Sequence, residues 1–92
     1  MIQLKQHKKF KNDMSKVTFS DSQFNKYILF LHLLANEEEL PPESKNHFLK
    51  GEWKGFSEFH IAGDLLVIYH SIDSSTLELI RISTHNQLFK YK

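Results

Sequence analysis

Apolar and polar residues change their spacing several times along this chain, and each change marks an element. Ile2 and Leu4 alternate with polar neighbours in "IQLKQ", the period of a short strand, and one suited to a sheet edge. From about Lys8 to Lys16 the apolar positions Phe10, Met14 and Val17 follow a helical spacing, with lysines on the outer side. "SDSQFNKYILFLHLLAN" predicts a longer helix: Ser20 and Gln23 have the spacing of a capping box. Phe24, Ile28, Leu31 and Ala35, flanked by Tyr27 and Leu34, suggest its packing face. "ELPPES" stops it, because consecutive prolines cannot continue a helix.

Beyond the prolines the period becomes that of strands. "WKGFSEFHI", "DLLVIYHSI" and "TLELIRIS" are separated by the turns "AGD" and "DSS", which predicts two hairpins in a meander. Leu65 to Tyr69 is continuously apolar, as in a central strand covered on both faces, and Leu77, Leu79 and Arg81 are expected on one face of the last strand. The predicted order is β-α-α-β-β-β, an α+β domain over residues 1–92 with two N-terminal helices layered on a small antiparallel sheet.

Composition narrows the chemistry. The chain has 92 residues, no cysteine and a net charge of +1, so thiolate nucleophiles, thiolate metal sites and disulfides are excluded. The first residues lack the apolar core of a signal peptide, and "LLVIY" is far shorter than the roughly 20 residues that span a bilayer, so a soluble cytoplasmic protein without membrane contact is expected. Lys5, Lys8, Lys9, Lys11 and Lys16 stand against the single acid Asp13, whereas Glu37, Glu38, Glu39 and Glu43 cluster around the prolines; the basic stretch suits a polyanion or an acidic partner.

His47, His60 and His85 fall where strands begin or end, and the turn "HIAGD" brings His60 near Asp64. His7, His32 and His70 read as ordinary surface or hydrogen-bonded side chains. No histidine pair has the one-turn spacing of a zinc site on a helix, and there is no glycine-rich phosphate loop. Histidines with one carboxylate and one arginine suit metal-free RNA cleavage by the ribose 2′-OH. Histidine exchanges protons at neutral pH, arginine holds charge growing on phosphate, and an aromatic such as Phe89 stacks a base. The plainer alternative for Arg81 is an ion pair with Glu78 or Asp64.

"LPPESKNHFLKGEWKGFSEFHIAGDLLVIY" followed by "LIRISTHNQLF" resembles the YafQ branch of the RelE/ParE superfamily, bacterial toxins of type II toxin–antitoxin pairs. The resemblance covers about residues 1 to 90. The proline pair, the histidine before "LKGEWKG", the "H-I-x-x-D" turn and "R-x-x-x-H-x-x-L-F" occur in one order. It implies a RelE-like fold and a cofactor-independent endoribonuclease that cuts mRNA, commonly on the ribosome. It also implies an antitoxin from the same operon, through which alone the complex contacts DNA. The implied RNA site comprises His47, His60, Asp64, Arg81, His85 and Phe89. By the same resemblance His85 is the general acid, Asp64 or His60 the base, Arg81 the phosphate ligand and Phe89 the stacking group. Gly63 and Leu65 around Asp64, and "IST" before His85, depart from the usual pattern. The alternative within the superfold is a non-catalytic, ParE-like inhibitor of DNA gyrase, which has no need of this histidine and aspartate set.

Overall fold

The computed structural model describes residues 1–89, with the backbone alone at Phe89. Its elements follow the order β1 (Gln3–Gln6), α1 (Lys8–Met14), α2 (Asp21–Ala35), β2 (His47–Phe48), β3 (Ser57–His60), β4 (Leu65–Asp73), β5 (Thr76–Thr84) and α3 (His85–Phe89). The five strands form one sheet in the order β1-β5-β4-β3-β2. The predicted meander is β3 to β5, and β4 is its centre, with Leu65 to Tyr69 all buried.

Three features go beyond the predicted order. β1 is an edge strand as expected, but it runs parallel to β5, from Gln3 opposite Thr76 to Gln6 opposite Leu79, so the sheet is mixed rather than antiparallel throughout. β2 has two residues, paired antiparallel to β3, and is too short for a period to reveal. The last strand stops at Thr84, whose Oγ1 accepts a hydrogen bond from Gln87 N and so starts α3 at His85.

The helices build the core over one face of the sheet. Phe10 of α1 and Tyr27, Phe30 and Leu34 of α2 meet Phe59, Val67, Tyr69, Leu79 and Ile82. The Phe30 and Phe59 rings stand edge to face at 5.8 Å. The capping box at Ser20 and Gln23 is present in both directions. Gln23 Nε2 also donates to Ala62 O, which ties the start of α2 to the turn that carries Asp64.

The packing face of α2 differs from the one its spacing suggests. Tyr27, Phe30 and Leu34 are buried, while Phe24 and Ile28 are 51% and 49% exposed. From Ile28 to Leu34 the helix is apolar nearly all round, so periodicity alone does not fix its rotation, and the large rings settle it.

β5 also departs from simple alternation. Tyr69 opposes Leu79 and Ile68 opposes Arg81, which leaves Ile80 as an extra residue, a β-bulge. Leu77, Leu79 and Ile82 therefore line the core, and Arg81 does not share their face. Among the described residues, no helix is long and apolar enough to cross a membrane.

Candidate active site

Strand register places His47, His60 and Arg81 on the sheet face opposite the helical core. His47 opposes Glu58, Glu58 opposes Ile68, and Ile68 opposes Arg81, so one row crosses four strands. His60, Leu66 and Ser83 form the next row. His60 and Ser83 thus stand two strand spacings apart, roughly 10 Å. Leu66 and Ile68, both fully buried, lie between the two sides.

On the β2–β3 side the central group is Glu58, which sequence reasoning missed. His47 Nε2 lies 3.1 Å and His60 Nε2 3.2 Å from the same oxygen, Glu58 Oε2. Glu58 is only 4% exposed, and its other oxygen, Oε1, has no hydrogen-bond partner among the described residues. A buried carboxylate with one oxygen unsatisfied is costly to keep. The signal available in the sequence was its place in "SEF", where Ser57 and Phe59 already hold the core face.

The two histidines are held differently. Lys45, in left-handed backbone geometry with φ of 49°, turns the chain so that its carbonyl lies 2.5 Å from His47 Nδ1. Tyr69 Oη donates to Asn46 Oδ1 at 2.6 Å, anchoring this turn to β4, and burial pushes the phenol's pKa up. Both ring nitrogens of His47 therefore face acceptors. His60 engages Glu58 through Nε2, and its Nδ1 makes no hydrogen bond among the described residues.

On the other side, Asp64 and Arg81 line a cleft of about 590 Å³, together with Asp13, Lys16 and Gln87. His85 N donates to Asp64 O at 3.1 Å, so the first residue of α3 and the β3–β4 turn are joined through the backbone. Arg81 pairs with neither Glu78 nor Asp64. Its Nε and Nη2 donate to Asp13 Oδ2 and Oδ1 at 2.6 and 3.0 Å, and these bonds raise its pKa above the usual guanidinium value. Glu78 instead meets His70 Nε2 at 3.0 Å, and that imidazole stacks on Phe56. His7 caps α1 by accepting from Lys9 N, and His32 lies beside Asn36 at the end of α2.

The structure thus brings His47 to His60 on the sheet and Asp64 to Arg81 in the cleft, while His85, at the start of α3, is joined to Asp64 through the backbone. The Phe89 side chain lies outside the described residues. Among them, no group of three or more His, Cys, Asp or Glu side chains is arranged to hold a metal ion. The contacts of Glu58 with its two histidines have hydrogen-bond lengths.

Residues 2–90 match a family of bacterial toxins of type II toxin–antitoxin systems, YafQ. The chain belongs to the YafQ family. The mRNA interferase toxin YafQ of Escherichia coli K12 is 39% identical over 64 residues, 70% of this chain and 67% of that protein. A YafQ relative from Haemophilus influenzae is 39% identical over 66 residues, a match that spans 68% of this chain and 65% of that protein.

Solved structures of similar toxins cover the chain more completely. E. coli YafQ superposes with a TM-score of 0.82 at 27% identity, over 97% of this chain and 99% of that one. A copper-bound mutant toxin from Helicobacter pylori gives a TM-score of 0.80 at 37% identity, over 97% and 100%. YafQ in the E. coli DinJ–YafQ complex gives 0.80 at 28% identity, over 97% and 99%. The RelE-like fold expected from the sequence is therefore the fold of the family.

Proposed function

We propose that this chain is the toxin of a type II toxin–antitoxin pair and acts as an mRNA interferase. Family membership and the E. coli relative named mRNA interferase toxin support the reaction class. The observation that carries it to residues is the cross-strand arrangement of His47, Glu58 and His60 facing Arg81 and the Asp64 cleft.

In this reading His60 Nδ1 takes the proton of the ribose 2′-OH while Glu58 orients its ring through Nε2. His47, directed at acceptors from both nitrogens, contributes a hydrogen-bond donor rather than the base. The 2′-oxygen attacks phosphorus, Arg81 holds the non-bridging oxygens, and His85 protonates the departing 5′-oxygen. The products are a 2′,3′-cyclic phosphate and a 5′-OH end. Asp64 lines the cleft beside Arg81 and is the other candidate for the base. The role of Phe89 in stacking a base is carried by the family resemblance.

Glu58→Gln is expected to slow single-turnover cleavage by about 10²-fold or more, because an amide orients imidazole less firmly than a carboxylate. Its melting temperature is measured alongside, so that cleavage is expressed per folded molecule. Normal cleavage by this variant contradicts the assignment of Glu58.

The cognate antitoxin is the proposed partner, as DinJ is for E. coli YafQ. mRNA, reached on the ribosome, is the proposed substrate. Lys8, Lys9 and Lys11 are exposed on α1, so association with the antitoxin is expected to slow as ionic strength rises. Rates that do not change with salt would exclude this steering.

The deciding experiment maps 5′-OH ends on total RNA after brief induction of the wild type and of His85→Ala. New ends with the wild type alone support cleavage. Absent ends accompanied by gyrase inhibition point instead to the non-catalytic reading.

A further inference from the structure

In the sequence Asp13 is one acid among lysines, yet in the fold it is buried and fully engaged. It comes from the last turn of α1, is 8% exposed, and accepts three hydrogen bonds: Arg81 Nε at 2.6 Å, Arg81 Nη2 at 3.0 Å and Ile82 N at 3.0 Å. The third bond has a topological cause. β1 ends at Gln6 opposite Leu79, so beyond that point the outer edge of β5 has no strand beside it. The amide of Ile82 would be left unpaired there, and Asp13 takes the place of the missing strand.

The same carboxylate selects which edge of the guanidinium remains available. A guanidinium offers one paired edge through Nε and Nη2 and another through Nη1 and Nη2. Asp13 occupies the first. The second makes no hydrogen bond among the described residues, and the Arg81 side chain, 30% exposed, lines the cleft that contains Asp64. Two phosphate oxygens fit a free guanidinium edge of this kind.

We infer that Asp13 is a positioning residue for RNA cleavage: it clamps Arg81 by one edge and to the backbone of β5, so that the Nη1–Nη2 edge meets the scissile phosphate. This rests on the reading of Arg81 as the phosphate ligand. Asp13 itself touches no substrate and acts through Arg81. It also makes the first helix part of the site, although no residue of α1 was a candidate on sequence grounds.

The test is a double-mutant cycle in the full-length toxin, with single-turnover cleavage of an mRNA on programmed ribosomes, KM and melting temperature measured together. Asp13→Asn keeps the shape and an acceptor for Ile82 N but loses the charge and one acceptor for the fork. It is expected to lower the cleavage rate constant on the order of 10²-fold, the scale of a displacement near 1 Å, with a much smaller change in KM. The double variant Asp13→Asn with Arg81→Ala is expected to cleave no more slowly than Arg81→Ala alone. Phe10→Leu, which loosens the packing of α1 without touching Arg81, is expected to lower melting and spare cleavage per folded molecule.

If Asp13→Asn fails to fold, Asp13→Glu replaces it in the cycle. It keeps the charge, moves the carboxylate by one methylene, and is expected to slow cleavage likewise. Losses that multiply in the double variant, or an Asp13→Asn protein that cleaves normally, overturn the inference. An Arg81→Ala protein that cleaves normally is a different result: it refutes Arg81 as the phosphate ligand, and the positioning role with it.

Discussion

Replacing His85 by alanine is expected to slow RNA cleavage by about 10² to 10⁴-fold, the range of a lost general acid, without a matching loss of stability. The argument rests on how α3 begins. Its first turn is capped by Thr84 Oγ1, which accepts from Gln87 N, and its link to the β3–β4 turn runs through His85 N and Asp64 O. Both contacts survive truncation of an exposed side chain. Melting temperature and antitoxin affinity are therefore expected to match the wild type while single-turnover cleavage collapses. A His85→Ala protein as toxic as its parent refutes the role of general acid, and one that is merely unfolded gives itself away in the melting curve.

The second large effect is on the fold. Phe59 is fully buried between Phe30 and Tyr69, at ring separations of 5.8 and 5.9 Å. Truncating such a phenylalanine to alanine removes its transfer energy and leaves a cavity, about 3 to 5 kcal/mol together. That is a large share of the roughly 5 to 15 kcal/mol that stabilises a small domain, and at about 4 °C or more per kcal/mol it lowers melting by at least about 12 °C. Glu58 and His60 flank Phe59 on the strand and point the other way, so loss of the ring also loosens the strand that aims them. Phe48→Ala, at a side chain 82% exposed, is the matched control and is expected to change melting little. Equal melting of the two variants contradicts this account of the core.

Some of this was legible in the sequence for physical reasons. The capping box and the continuously apolar Leu65–Tyr69 each have one reading, and both hold; the proline stop does not, because α2 already ends at Ala35, with Glu37 in left-handed geometry, before the chain reaches Pro41. The rotation of α2 was not legible, because a helix apolar on nearly every side has no preferred face until large rings pack. The bulge at Ile80 was hidden for a related reason: "LELIRI" alternates plausibly in more than one register, and only pairing with Tyr69 and Ile68 reveals the slip.

Of the candidate site, residue types were readable and partnerships were not. His60 and Asp64 follow from a turn only a few residues long, whereas His47 meets Glu58 through a two-residue strand. Arg81 meets Asp13 from nearly the other end of the chain. A lone acid among lysines and a glutamate in a strand carry no local mark of burial. Their importance arises only when distant segments meet.

The parallel pairing of β1 with β5 gives the chain an order of assembly. The strand made first has its partner in the strand made last, and Asp13 finds Ile82 only behind that pairing. Non-local contacts of this kind are the slow ones in folding, and chains emerge from synthesis N-terminus first. A nascent polypeptide stopped before Thr76 holds a free β1 and an Asp13 with no arginine to clamp. The clamp on Arg81, and with it the shape of the cleft, can therefore form only after β5 has been made.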